Sequence, residues 1–231
     1  MPALHARLLA DVIEIGEPLP LVLTGGYAVQ AHEIVSRLSK DLDFATDSQR
    51  PLPDIADVLV DGLTARGWRV QVIETSKNSA RLQVNGAEGE ECEVDVLREF
   101  FTRKPAQMAY GPVLAEPDVL GTKMRALSER GVPRDLIDIH SASRWWSCSD
   151  LESLGRAHSR GRFTLEGLQN RLEAAQWYGE EEFTEYGLTP DEVRVLYAWA
   201  TAWAEDLALR LHTGESRDEQ EPGDESWLYD V

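Results

Sequence analysis

Residues 19–46 read LPLVLTGGYAVQAHEIVSRLSKDLDFAT. The apolar run Leu21–Val22–Leu23 predicts a short strand. Gly25 and Gly26 follow at once, where a backbone without side chains turns tightly and comes close to a ligand. The mixed stretch from Tyr27 to Leu38 predicts a helix, whose free N–H groups are available to a phosphate. Asp41–Leu42–Asp43–Phe44 then alternates acidic and apolar residues. Alternate residues of a strand share a face. Asp41 and Asp43 therefore point together, with Leu42 and Phe44 turned to a core. Two carboxylates on one face repel each other unless a cation lies between them, and hard oxygen ligands of this kind suit magnesium.

Working outward, Asp54–Arg66 predicts a helix closed by Gly67, and Trp68–Glu74, Ala80–Val84 and Glu91–Leu97 predict three strands. Asn85–Gly86 opens the connection between the last two, a hairpin signal. The last strand, ECEVDVL, sets Glu91, Glu93, Asp95 and Leu97 against Cys92, Val94 and Val96. A carboxylate inside an apolar strand is costly unless something compensates it. Asp95, flanked by valines, is the candidate third metal ligand, and Glu93 sits toward a wetter end. Residues 100–117 carry no firm pattern.

Upstream, Pro2–Ile15 predicts an amphipathic helix stopped by Gly16 and Pro18. Downstream, Asp118–Glu129 predicts a helix carrying Lys123, and Arg134–Ala142 another. Arg134 and Asp135 read as a local structural pair. Phe163–Gly179 and Pro190–Leu211 predict two further helices, the second capped by Thr189 with proline in its first turn. The element order gives an α+β chain: a mixed sheet core over residues 1–115, a mainly helical part over 116–214, and an acidic flexible tail over 215–231.

The formal net charge of the 231 residues is −18, which opposes broad, nonspecific binding to a nucleic-acid backbone. DNA is not an expected partner. Part of the imbalance sits in residues 215–231, which hold seven acids and one arginine. No apolar run approaches a membrane span, and the N-terminal stretch lacks the long apolar region of a signal peptide. Two isolated cysteines, Cys92 and Cys148, make neither a disulfide framework nor a metal quartet. A cytoplasmic location is the expectation.

GGYAVQAHEIVSRLSKDLDF resembles the first motif of the nucleotidyltransferase superfamily: paired small residues, a helix, then Asp-x-Asp. GTKMRALSERGVPRDLIDIHSA narrows the resemblance to the AbiEii/AbiGii toxin family, over roughly Leu19–Ala142. The resemblance implies a nucleotidyltransferase-like fold and transfer of a nucleoside monophosphate from a nucleoside triphosphate to an acceptor hydroxyl. It implies that Asp41, Asp43 and Asp95 hold Mg2+ and that Gly25, Gly26 and Ser39 cradle the phosphates. Lys123 would neutralise triphosphate charge, and Asp138 would orient that lysine or the acceptor. The implied acceptor is tRNA, and the implied partner a cognate antitoxin. Small-molecule nucleotidyltransferases that modify aminoglycosides share a similar start and remain an alternative, as does an inactive interaction module. A basic groove beside the carboxylates would favour RNA, and a closed acidic pocket would favour the antibiotic.

Overall fold

The computed structural model describes residues 1–37, 39–159 and 161–214. The tail expected at 215–231 lies outside the described residues, as does Leu38 at the end of the expected first-motif helix. The chain opens with α1 (Ala3–Gly16), β1 (Val22–Leu23), α2 (Gly25–Ala31), β2 (Leu42–Thr46) and α3 (Leu52–Ala65). Next come β3 (Arg69–Thr75), β4 (Ser79–Asn85), β5 (Glu91–Arg98), β6 (Ala106–Met108) and β7 (Gly111–Val113). The strands form one mixed sheet in the order β3-β4-β5-β2-β1-β7-β6. Everything described after it is helical: α4 (Glu116–Glu129), α5 (Pro133–Ala142), α6 (Cys148–His158), α7 (Leu165–Glu173), α8 (Glu180–Thr184) and α9 (Pro190–Thr213), with a 3-10 turn at Ala174–Trp177.

The expected mixed sheet and helical remainder are therefore present. β2 and β5 run parallel and adjacent, with Asp43 opposite Asp95 and Phe44 opposite Val96. Leu42, Phe44, Val94 and Val96 are fully buried, packing the apolar face of both strands into one core. This alternation fixes the register, because a one-residue slip would turn both aspartates into that core. The opposite sheet face at these positions is left for the carboxylates. α3 packs on β3, β4 and β5, and α1 packs on α3. α4 packs on α2 from the sheet part and on α5, α6 and α7 from the helical part.

Three expectations need correction. First, the helix after the glycines is short. It starts at Gly25 itself and ends at Ala31. Glu33 takes a left-handed φ of 59°, His32 Nε2 meets the Leu114 carbonyl at 2.8 Å, and Ile34 turns into the core. Second, residues 100–117 contain β6 and β7; β7 pairs parallel with β1 through Leu23 and Val113. Strands of three residues are too short to show a period. Third, α6 and α8 were not foreseen, although Ser147 and Asp150 form a capping box at the start of α6. Among the described residues, no helix is long and apolar enough to cross a membrane.

Candidate active site

A cleft of ≈ 270 Å³ opens over the exposed face of β2 and β5, lined by Gly25, Gly26, Ser39, Asp41, Asp43, Asp95 and Lys123 among others. The sheet supplies its floor. Asp43 lies on β2 and Asp95 opposite it on β5. Asp41 sits one residue before β2 rather than within it, and is oriented by Ser39, whose Oγ donates to Asp41 Oδ1 at 2.9 Å. Ser39 is itself held from below, since Tyr27 Oη donates to its carbonyl at 3.2 Å.

The glycines are required by contact distance. A Cβ at Gly25 would lie 1.9 Å from Asp43 Oδ2, and φ there is +60°. A Cβ at Gly26 would lie 2.4 Å from Ser39 Oγ. Both glycines belong to the first turn of α2, so what approaches the carboxylates is the bare backbone of that turn.

Lys123 reaches the cleft from α4 and gives an ion pair to Asp138 Oδ2 at 2.9 Å. Arg37 closes a bidentate pair on the same carboxylate, at 2.8 and 2.7 Å. Asp138 is completely buried and is absent from the cleft lining. Its carboxyl is held below the usual range because Lys123 and Arg37 outweigh the burial that would raise it. Asp138 therefore reaches the cleft through Lys123 and Arg37, whose charged ends it holds.

Each of the other two aspartates has a cation partner, and Asp43 has none among the described residues. Arg81 donates from Nε and Nη2 to the two oxygens of Asp95, at 2.8 and 2.7 Å. Arg134 approaches Asp41 at 3.6 Å. Arg134 is thus a cleft residue; the expected pair with Asp135 does not form. Asp135 instead accepts two hydrogen bonds from Arg130. Burial first, and then the neighbouring charges of Asp41 and Asp95, push the Asp43 carboxyl up to about 6, against the opposing pull of Lys123 and Arg134.

The carboxylates do not converge as expected on one ready-made cation site. Among the described residues, no group of three or more His, Cys, Asp or Glu is arranged to hold a metal ion. The physical reason is visible in the contacts: both oxygens of Asp95 are turned onto Arg81. The donor set still suits a hard divalent cation, since it is carboxylate oxygen and its central member is an under-compensated acid.

Sequence reasoning missed the arginines. Arg37, Arg81, Arg125, Arg130 and Arg134 line the cleft with Lys123, against the acids Asp41, Asp43, Asp95, Glu99 and Glu129. A chain of net charge −18 thus carries cations and acids in near balance where the candidate chemistry lies. Arg81 was legible in principle, since strand alternation sets it on one face with Gln83. Arg37 and Arg134 reach the site only through the fold.

Residues 7–205 match the family model described as "Nucleotidyl transferase AbiEii toxin, Type IV TA system". The chain belongs to the nucleotidyl transferase AbiEii toxin family. It is a nucleotidyltransferase-type enzyme. The fold of this AbiEii-family chain is similar to that of MenT4, a nucleotidyltransferase toxin from Mycobacterium tuberculosis H37Rv, with TM-score 0.58 and 17% identity over 98% of this chain and 87% of that one. It is also similar to JHP933 from Helicobacter pylori, with TM-score 0.51 and 15% identity over 93% and 97% of the two chains. No curated protein sequence matches the AbiEii-family chain.

Proposed function

We propose that the protein transfers a nucleoside monophosphate from a nucleoside triphosphate to an acceptor hydroxyl on tRNA, with Mg2+, as the toxin of a toxin–antitoxin or abortive-infection pair. One observation carries this reading: Asp41, Asp43 and Asp95 share a single cleft with the glycine turn and Lys123. Asp41 and Asp43 would hold the cation, joined by Asp95. When bound, magnesium supplies neutralisation of phosphate charge and lowers the pKa of the acceptor hydroxyl.

The chain's own residues supply position and charge. The Gly25–Gly26 backbone lets the phosphates come close to the carboxylate floor, as no other residue pair there would. Ser39 fixes the orientation of Asp41. Lys123, pre-aimed by Asp138, meets triphosphate charge without having to be ordered during the reaction, which is where preorganised electrostatics gain their advantage. Arg134, beside Asp41, adds a second cation at the same end.

The lining sets Lys123 and five arginines against Asp41, Asp43, Asp95, Glu99 and Glu129, so it is not the closed acidic pocket that would suit a polycationic aminoglycoside, and the tRNA acceptor rests on the family resemblance. A cytoplasmic location fits NTP and tRNA as substrates, and the family description supports an antitoxin partner. The test is incubation of purified protein with each alpha-labelled nucleoside triphosphate and Mg2+, with total tRNA or a panel of aminoglycosides. Label on tRNA, lost in Asp43→Ala, supports the reading. Label on an aminoglycoside alone replaces the acceptor. Loss of both triphosphate and Mg2+ binding, with no label anywhere, leaves an interaction module.

A further inference from the structure

The ion pairs around the cleft differ sharply in how exposed they are. Arg37 and Lys123 have side chains 6% and 9% exposed, on an Asp138 that is 0% exposed. Such pairs are not broken without leaving buried charge behind. Arg81 is 48% exposed, and its partner Asp95 is 11% exposed. Its guanidinium can therefore exchange carboxylate for water at small cost. The pair is also directly cross-strand: Arg81 on β4 stands opposite Asp95 on β5, one strand beyond Asp43. When its hydrogen bonds to Asp95 break, Arg81 has a second acid nearby, Glu93 at 3.8 Å.

Resting on the cation site proposed above, we infer that Arg81 is a positioning residue for Asp95: an internal counter-ion that occupies both Asp95 oxygens and yields them when a divalent cation binds. The geometry accounts for two facts together. It explains why a carboxylate aligned with Asp43 is turned away from it. It also explains how Asp95 keeps a fixed orientation beside two other acids before a cation binds. Arg81 then sets the affinity for the cation, because each ion bound must first displace a guanidinium.

The test is Mn2+ binding to the full-length chain, followed by the paramagnetic spectrum of free Mn2+ during titration, with no nucleotide present. Arg81→Gln keeps a hydrogen-bonding group but removes the charge. It is expected to bind Mn2+ about three- to tenfold more tightly than the wild type, with Arg81→Lys between the two. A role confined to joining β4 and β5 would lower the melting temperature of Arg81→Gln and leave Mn2+ affinity where it was; that result, or weaker binding, overturns the proposal. Asp43→Ala separates the two levels of inference. If it abolishes Mn2+ binding while Arg81→Gln changes nothing, the cation site stands and the role of Arg81 falls. If Asp43→Ala binds Mn2+ as the wild type does, both fall.

Discussion

Asp43 and Asp95 face each other across two parallel strands, yet one is clamped by a guanidinium and the other meets like charge with no ion pair among the described residues. Their different fates follow from the neighbouring strands. β5 is flanked by β4, which presents Arg81 at the right register. β2 is flanked on its other side by β1, whose two residues are Val22 and Leu23.

Stability should therefore respond to Asp43 in an unusual direction. Its carboxyl titrates at about 6 in the fold, against an ordinary 3.8. Between roughly pH 4 and pH 6 the folded chain holds more protons than the unfolded one. The contribution of neutral Asp43 is present below pH 4 and is lost as pH rises through 6. Asp43→Asn should match the wild type in urea denaturation at pH 4 and exceed it at pH 8 by on the order of 2 kcal/mol, while losing transfer activity.

A divalent cation should act in the opposite sense, because it binds the ionised carboxylate. The rise in melting temperature on adding Mg2+ is expected to be larger at pH 8 than at pH 5, as followed by differential scanning calorimetry. Asp43→Asn should show little rise at either pH. Equal rises at both pH values would place the cation elsewhere.

The Asp138 network predicts asymmetric damage. Asp138→Ala leaves Arg37 and Lys123 buried without their shared carboxylate, at a cost of about 3–5 kcal/mol. Lys123→Met leaves the Arg37–Asp138 pair in place and should cost only about 1–2 kcal/mol. It should nevertheless raise the KM for the triphosphate, and comparing equilibrium unfolding with steady-state kinetics separates the two effects.

The glycine turn predicts a rescue. Gly26→Ala would set its Cβ 2.4 Å from Ser39 Oγ and 2.9 Å from Ser39 Cβ, and should destabilise the chain and weaken nucleotide binding. Adding Ser39→Gly removes both atoms and should recover most of the stability but not the binding, since Ser39 also orients Asp41. Gly25→Ala has no such rescue: its φ of +60° remains strained, at about 1–3 kcal/mol.

The sheet floor of the site was readable from the chain because strand alternation is local: Asp43 and Asp95 declare their face against Leu42, Phe44, Val94 and Val96. The glycines were readable for the same reason. The ion pairs were not. Arg37 meets Asp138 across 101 residues, and Arg134 reaches Asp41 from a helix whose own turn offered Asp135 as the nearer partner. α2 is shorter than its local pattern predicts: Glu33 takes a left-handed φ of 59° and the His32 ring meets the distant Leu114 carbonyl, neither of which a local signal announces. β6 and β7 were lost because three residues carry no period.

α4 is enclosed by α2 on one side and by α5, α6 and α7 on others, and Pro117, Val119, Leu120, Met124 and Leu127 are all buried along it. It carries Lys123 toward the sheet, and its Gly121 lies so close to His158 of α6 that a Cβ there would meet the imidazole at 2.1 Å. A chain severed after Ala115 would thus strip the sheet half of its lysine and the helical half of its central helix's other wall. Activity in a mixture of separately made halves would require both walls of α4 to be rebuilt at one seam.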